Sequence, residues 1–373
     1  MKIGFLINPV AGMGGKVALK GTDGEDTLRI ARELGATPVS DMRAQAAVTE
    51  FEHAAAGHEF FTVAGGMGAE LLSRHGIDNV KIISRVHRNS TTADDTKKAV
   101  LVMLELGVDL IIFAGGDGTA RDVCSVAGDK VPVVGIPAGV KIHSGVYAKK
   151  PRDAGILIRK FLFNKVNRYR TAEVVDIDED AFRHNAVRAK LFGYMKVPED
   201  TELMQDRKSG ASGSDADEAA DIAGYVAKTM EKDEIYLIGS GTTTAALMSH
   251  LGLEGTLLGV DAVADGTVVG KDLTENQIEA ILRAYPCEKR HLIITVIGGQ
   301  GHIFGRGNQQ LSPDVLRMIP MDNISVIATS SKMAQLFGKP LIADTGDASL
   351  DEDFKGYIRV ITGFGRYIMA KVS

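Results

Sequence analysis

A run of apolar residues closed by a glycine-rich turn constrains this chain more than any other stretch. In Asp109-Leu110-Ile111-Ile112-Phe113-Ala114-Gly115-Gly116-Asp117-Gly118-Thr119, the unbroken, β-branched run reads as a central parallel strand buried on both faces. The chain must then turn sharply at the strand's carboxyl end. Gly115, Gly116 and Gly118 lack a Cβ, so a phosphate or ribose can approach their N-H groups directly. A helix is expected from Thr119 to Ala127, its N-terminus adding partial positive charge at the same place. The plain alternative is a strand-to-helix turn that uses glycine for geometry alone. Asp117 argues against that alternative. A carboxylate among phosphate-binding amides is unfavourable unless it takes a proton from a nucleophile or reaches a bound cation.

Upstream, Lys2 to Ile7 reads as the first buried strand, and Asn8-Pro9 opens a loop running to Lys16. Asn8 is either a ligand contact at a strand's carboxyl end or the start of an Asn-Pro turn. Helical spacing covers Asp26 to Leu34, Asp41 to Ala56 and a segment capped by Thr91 or Thr92 that runs to Leu106. Phe60 to Val63, Lys81 to Ile83 and Val131 to Ile136 are further strands. This alternation predicts an α/β fold with a doubly wound, Rossmann-like parallel sheet, whose ligands lie outside the carboxyl ends of the strands. Lys141 and His143 follow the last of these strands. Lys141 is a candidate phosphate contact, and His143 a hydrogen-bonding or packing residue.

After the helix expected over Pro151 to Asn164 the pattern changes, with strand-like Tyr169 to Ile177 and Val187 to Phe192 lacking regular helices between them. The expected organisation is an α/β phosphate-binding domain over residues 1–165, a mainly β substrate domain over 166–335, and a C-terminal segment over 336–373 packing back on the first domain. Asp206 to Ala220 reads as a loop, with a lid as the alternative to an ordinary solvated loop. Gly239-Ser240-Gly241-Thr242-Thr243-Thr244 follows an apolar strand and offers hydroxyls and open amides suited to phosphate oxygens, or an N-cap run at Thr242 or Thr243. Asp261 lies in a stretch that is either a structural turn or a ligand contact. Gly298 and Gly299 follow a third apolar strand, with Arg306 and Asn308 behind them; Arg306 is suited to bidentate phosphate binding.

The 43 Lys+Arg against 48 Asp+Glu give a net charge of -5, which offers no footprint for nucleic acid or a membrane surface. An anionic ligand must therefore be met by local donors. The two cysteines, Cys124 and Cys287, stand far apart with no Cys-x-x-Cys or Cys/His cluster, so neither a disulfide framework nor a zinc site is expected. No apolar stretch reaches membrane-spanning length. A cytoplasmic protein is the expectation.

Read together, these motifs resemble the ATP-NAD kinase superfamily. Members carry a Gly-Gly-Asp-Gly-Thr turn in an N-terminal α/β domain, and an Asp followed by a Gly/Ser/Thr-rich turn in a largely β second domain. Gly115 to Thr119 and Asp233 with Gly239 to Thr244 look like these. Asn8 to Gly15, Pro137 to Lys141 and Ile297 to Gln309 are similar to the divergent NAD-kinase-like branch that includes acetoin-catabolism-associated (AcoX-like) proteins. The resemblance implies an enzyme moving the γ-phosphoryl group of ATP, or a group from inorganic polyphosphate, to the ribose 2'-hydroxyl of NAD to make NADP. It implies that Asp117 orients or deprotonates that hydroxyl or helps position Mg2+ or another divalent cation. It further implies that the glycine amides and Thr119 hold phosphates and that Asp233 contacts the dinucleotide. Homo-oligomers are common in the superfamily. Two departures concern the acceptor: no Asn-Glu or Asn-Asp pair stands between Gly145 and Asp233, and Ala246 replaces the tyrosine that commonly ends the second motif. A kinase of another small-molecule or lipid hydroxyl, or a nucleotide-binding regulator without turnover, are the alternatives.

Overall fold

The computed structural model describes residues 1–19, 25–86, 91–140, 142–177, 189–205 and 215–373. The chain divides into two compact units, Met1–Met13 with Gly21–Arg207, and Gly14–Lys20 with Lys208–Ser373.

The first unit holds a five-stranded parallel sheet in the order β3-β2-β1-β4-β5. Its strands are β1 (Lys2–Ile7), β2 (Glu59–Val63), β3 (Val80–Ser84), β4 (Leu110–Gly115) and β5 (Val133–Pro137). Its helices are α1 (Glu25–Glu33), α2 (Ser40–Phe51), α3 (Ala69–Arg74), α4 (Ala93–Glu105), α5 (Asp117–Ala127) and α6 (Pro151–Leu162). Every residue of β4 is buried, as a strand covered on both faces must be. Fully burying each large apolar side chain there is worth about 1.5–3 kcal/mol, which holds β4 inside the sheet, between β1 and β5. The α4 start is set by Asp95, whose carboxylate accepts from the Thr92 N-H at 2.8 Å and the Thr92 hydroxyl at 2.9 Å.

This unit continues past the boundary expected near residue 166. Strands β6 (Tyr169–Ile177) and β7 (Ala189–Pro198) form an antiparallel hairpin that packs on α5, and β7 also reaches β5. One face explains why: Ala172, Val174, Met195 and Val197 are buried in the first unit's core.

The second unit is built on a seven-stranded mixed sheet, β10-β9-β8-β11-β12-β13-β14. Strands β8 (Ile235–Ile238), β11 (Arg290–Thr295), β12 (Ile324–Ile327) and β13 (Gly356–Gly363) run parallel. Strands β9 (Asp261–Ala264), β10 (Thr267–Gly270) and β14 (Arg366–Val372) add antiparallel pairs at the two sides. Helices α7 (Asp215–Thr229), α8 (Thr242–His250), α9 (Glu275–Arg283), α10 (Pro313–Arg317), α11 (Ser330–Ala334) and α12 (Ala348–Asp353) accompany them. Two expectations are corrected here. Residues 215–220 are the first turns of α7 rather than loop, with Ala219 buried on its inner side; the rest of the expected lid, 206–214, lies outside the described residues. The C-terminal hairpin is part of the second unit's own sheet, because Val360 and Ile361 pair with Val326 and Ile327.

Candidate active site

In the first unit the strand order reverses between β1 and β4, which makes the carboxyl ends of these two strands the crevice where such sheets hold ligands. Asn8 leaves β1 there, and the glycine turn leaves β4. The helix after the turn starts earlier than the sequence pattern indicates, at Asp117 rather than Thr119, with Gly116 as its N-cap residue. Asp117 therefore sits in the first turn of α5, beside amides that have no acceptor within the helix. Gly115 is required by crowding: a Cβ at this position would lie 2.4 Å from Thr119 Oγ1. Asn8 Nδ2 donates to Thr119 Oγ1 at 2.9 Å, and Asn8 Oδ1 accepts from the Val10 N-H at 3.2 Å. Asn8 thus ties the β1 turn to α5, and both parts of its amide are engaged in doing so.

The Asp117 carboxylate is oriented from the opposite side. Oδ2 accepts from the His143 N-H at 2.8 Å and lies 3.2 Å from His143 Nδ1, while Oδ1 accepts from the Ser144 N-H at 3.0 Å. Both side chains are mostly buried, at 11% and 12% exposure. A proton on Nδ1 completes the ring contact. The segment that presents these donors is itself held by the hairpin and by the stretch that follows it. The Gly145 N-H donates to the Glu173 carbonyl at 2.8 Å, Ser144 Oγ accepts from the Val175 N-H at 3.0 Å, and Gln205 Nε2 donates to the Ile142 carbonyl at 3.3 Å. Tyr147, fully buried, lies against Gly135, where any Cβ would stand 2.5 Å from its ring, and its hydroxyl donates to the Gly116 carbonyl. Tyr147 therefore fixes the glycine turn from beneath.

The second unit repeats the motif of parallel strand, glycine turn and helix with different side chains. Gly241 is the N-cap of α8, at φ 136°, and a Cβ there would lie 2.3 Å from Thr295 Cγ2. The cap is thus Gly241, not Thr242 or Thr243. Thr244 Oγ1 donates back to the Gly241 carbonyl at 2.9 Å, and Ser240 Oγ donates to the Gly307 carbonyl at 3.2 Å. Lys332, at the start of α11, donates to Thr243 Oγ1 at 2.8 Å and Thr295 Oγ1 at 3.2 Å. Thr242 is exposed and Ser240 partly so; Gly298 lies beside the Lys332 chain, with a built Cβ 3.3 Å from its Cγ.

The remaining candidates take other roles. Asp233 lies at the amino end of β8, exposed and at φ 60°, its N-H donating to Asp265 Oδ1 at 2.9 Å. The glycine/threonine turn leaves the other end of that strand, about 20 Å of extended chain away, so the structure does not bring Asp233 to Gly239–Thr244. Asp261 is buried and accepts from the Thr256 N-H at 2.6 Å, the Thr256 hydroxyl at 2.8 Å and the Asp272 N-H at 2.9 Å, which is a turn-holding role. Arg306 is 4% exposed with Nε directed to His302 Nε2 at 3.4 Å, in the loop whose Gly307 carbonyl accepts from Ser240 Oγ. Asn308 is spent on backbone, accepting from the Gly305 N-H at 3.0 Å and donating to the Ile303 carbonyl at 2.9 Å. Gly299 shapes the preceding turn, over 297–301, at φ 76°. Lys141 lies outside the described residues. Among the described residues, Glu275, Glu279 and Asp314 form a group of potential metal ligands within 4.8 Å of one another. Lys16 already meets Glu275 at 2.9 Å and Arg283 meets Glu279 at 2.6 Å, so these read as paired carboxylates. No helix among the described residues is long and apolar enough to cross a membrane.

Comparison with known proteins follows this geometry. Residues 3–166 match the model of the ATP-NAD kinase N-terminal domain, and residues 232–372 that of the ATP-NAD kinase C-terminal domain. No curated protein matches the sequence. Among solved structures, a "putative diacylglycerol kinase from Bacillus anthracis str. Sterne" aligns at 15% identity and a TM-score of 0.24, covering 63% of this chain. The chain spans 59% of the length of that relative.

Proposed function

The chain belongs to the ATP-NAD kinase family, and from that premise we propose that it transfers a phosphoryl group from ATP or inorganic polyphosphate to the 2'-hydroxyl of NAD, giving NADP. The observation that carries this reading is the Asp117 carboxylate, held by the His143 and Ser144 amides within the glycine turn at the first sheet's crevice. Phosphoryl transfer asks mainly for positioning and charge neutralisation. Amides of the α5 first turn would hold phosphate oxygens. Asp117 would orient the attacking hydroxyl and accept its proton, with His143 Nδ1 steadying the carboxylate as it does so.

The donor set fits a divalent cation in one way. Mg2+ takes one or two carboxylates and completes its shell with water and substrate phosphates. Asp117 is one such ligand among neutral amides and hydroxyls, so a Mg2+ would arrive with the donor's phosphates. Bound there, it would neutralise charge on the transferring group.

One observation favours a second acceptor: the adenosine-gripping Asn-Glu or Asn-Asp pair is absent between Gly145 and Asp233. The test is formation of NADP from NAD with Mg2+, with ATP and polyphosphate supplied separately, beside a panel of other hydroxyl acceptors. NADP formed at a substantial rate supports NAD as the acceptor. Product only from another alcohol moves the acceptor while leaving the phosphotransferase reading intact, and no phosphorylated product with any acceptor leaves a nucleotide-binding regulator.

A further inference from the structure

Asp117 takes two backbone N-H groups from one short segment, and a carboxylate is aimed in this way only if that backbone is itself held in direction. The peptide unit is planar and trans, so its C=O and N-H point opposite ways and fixing one fixes the other. The His143 N-H given to Asp117 Oδ2 shares its peptide unit with the Ile142 carbonyl. Whatever holds that carbonyl therefore aims the N-H.

Gln205 holds it. Its Nε2 donates to the Ile142 carbonyl at 3.3 Å and to the Ser144 carbonyl at 3.4 Å, one hydrogen to each, so a single amide brackets His143. The Ser144 carbonyl shares its peptide unit with the Gly145 N-H, which donates to the Glu173 carbonyl at 2.8 Å. The intervening unit, the His143 carbonyl with the Ser144 N-H, supplies the second bond to Asp117, at 3.0 Å, and is fixed from both of its ends. Gln205 is anchored in turn by its own backbone. Its N-H donates to the Tyr147 carbonyl at 2.9 Å, and its carbonyl accepts from Arg170 Nη2 at 3.2 Å, which also reaches the Gly145 carbonyl at 3.1 Å.

Packing alone does not call for glutamine here. The side chain is 1% exposed, and among the described residues its Oε1 accepts from nothing. A buried acceptor without a donor costs stability, and methionine has a similar volume with no amide oxygen to leave unpaired. What only the amide supplies is the pair of N-H donors on either side of His143.

We propose that Gln205 is a positioning residue for the phosphoryl transfer, aiming through the 142–144 backbone the carboxylate that receives the acceptor's proton; this rests on the reading of Asp117 given above. Gln205 is enclosed and meets the reaction only through that backbone. Its loss leaves Asp117 its charge but not its direction. Turnover then falls while substrate affinity stays, because a small misplacement of a reacting group acts on rate rather than on binding.

Gln205→Met and Gln205→Asn test this, the second keeping the amide but withdrawing its N-H groups by one carbon. Two measurements are made on the full chain: hydrogen exchange over 142–145, read by mass spectrometry, and kcat and KM for the acceptor that the wild type phosphorylates. Each variant should exchange at least about 10-fold faster over 142–145. Its kcat should fall by about 10–100-fold, with KM within about twofold of the wild type. Ile158→Val, which opens a small cavity in the buried side of α6, is the control: a lower denaturation midpoint, with wild-type kcat and wild-type exchange over 142–145. Wild-type kcat in either folded variant overturns the proposal, because Gln205 then only fills space. Wild-type exchange overturns it as well, since other contacts then hold the amides, and a raised KM with kcat kept would make Gln205 a binding contact instead. If Gln205→Met does not fold, Gln205→Asn decides. If the wild type phosphorylates no acceptor, the reaction assigned to the site fails separately, and exchange over 142–145 alone decides whether Gln205 aims the amides.

Discussion

The two glycine turns, Gly115 to Thr119 and Gly239 to Thr244, begin alike and end in opposite chemistry. Each leaves the carboxyl end of a parallel strand, each opens a helix, and each has a glycine crowded by a threonine, Gly115 by Thr119 and Gly241 by Thr295. Backbone geometry is thus the shared part. The first turn then aims a carboxylate at two opposing amides, and the second aims threonine hydroxyls at the Lys332 ammonium. A proton acceptor can work only at the first turn; the second offers donors and a cation. Similar glycine patterns therefore mark similar shape, and the side chain held inside each turn decides what it can do.

The largest effect that would break this distinction is at Asp117. Asp117→Asn should lower turnover by more than about 100-fold, as loss of a proton acceptor does. It is not a silent structural change, because the new amide nitrogen must face the N-H of His143 or Ser144. A stability loss of about 1–2 kcal/mol is expected from that donor-donor contact, so chemical denaturation must accompany the kinetics. Turnover retained in a folded variant would make the first turn a scaffold like the second.

Next in size are the crowded glycines. Gly115→Ala and Gly241→Ala should each cost about 2–3 kcal/mol, from overpacking against Thr119 and Thr295, with added backbone strain at Gly241. Denaturant midpoints measure both; unequal losses would show that the shared geometry is less alike than the contacts indicate. Lys332→Met should cost about 1–3 kcal/mol, because two hydroxyls lose a charged donor. A larger fall in turnover than its stability loss explains would move the second turn toward the chemistry.

The smallest effect lies away from both turns and serves as a baseline. Burial raises the Asp200 carboxyl, but the Lys160 ammonium at 2.8 Å and the Leu203 and Glu202 N-H groups, each at 3.1 Å, outweigh it and hold it below the ordinary 3.8. A depressed carboxyl adds stability at pH above its unfolded value and loses it as the pH falls through the folded one. Stability should therefore drop by about 0.5 kcal/mol below pH 3.8 through this group, and Asp200→Asn should remove that step from an acid titration followed by circular dichroism.

Much of this was legible along the chain. The buried strands β1 and β4, the glycine turns after β4 and β8, and the C-terminal hairpin all announce themselves through local apolar runs and turn residues. What escaped depends on contacts between residues distant in sequence. Tyr147 reaches the Gly116 carbonyl across 31 positions and Lys332 reaches Thr243 across 89, and no local pattern encodes either. His143 could be placed near the first turn but its bond to Asp117 could not be foreseen. The hairpin of β6 and β7 read as the start of a second domain because strand spacing carries no record of which core a buried face joins. Asp233 rests on the family resemblance and Arg306 on the glycines around it; the strand direction that separates Asp233 from its turn and the burial of Arg306 are properties of the folded chain.

The most direct measurement is NADP formation by purified wild type and Asp117→Asn with NAD, Mg2+, and ATP or polyphosphate, at a temperature where denaturation curves show both proteins folded. The expected result is NADP from the wild type and a rate reduced by more than about 100-fold in the variant. Equal rates in the two folded proteins would contradict the role assigned to Asp117, and with it the difference drawn between the two turns.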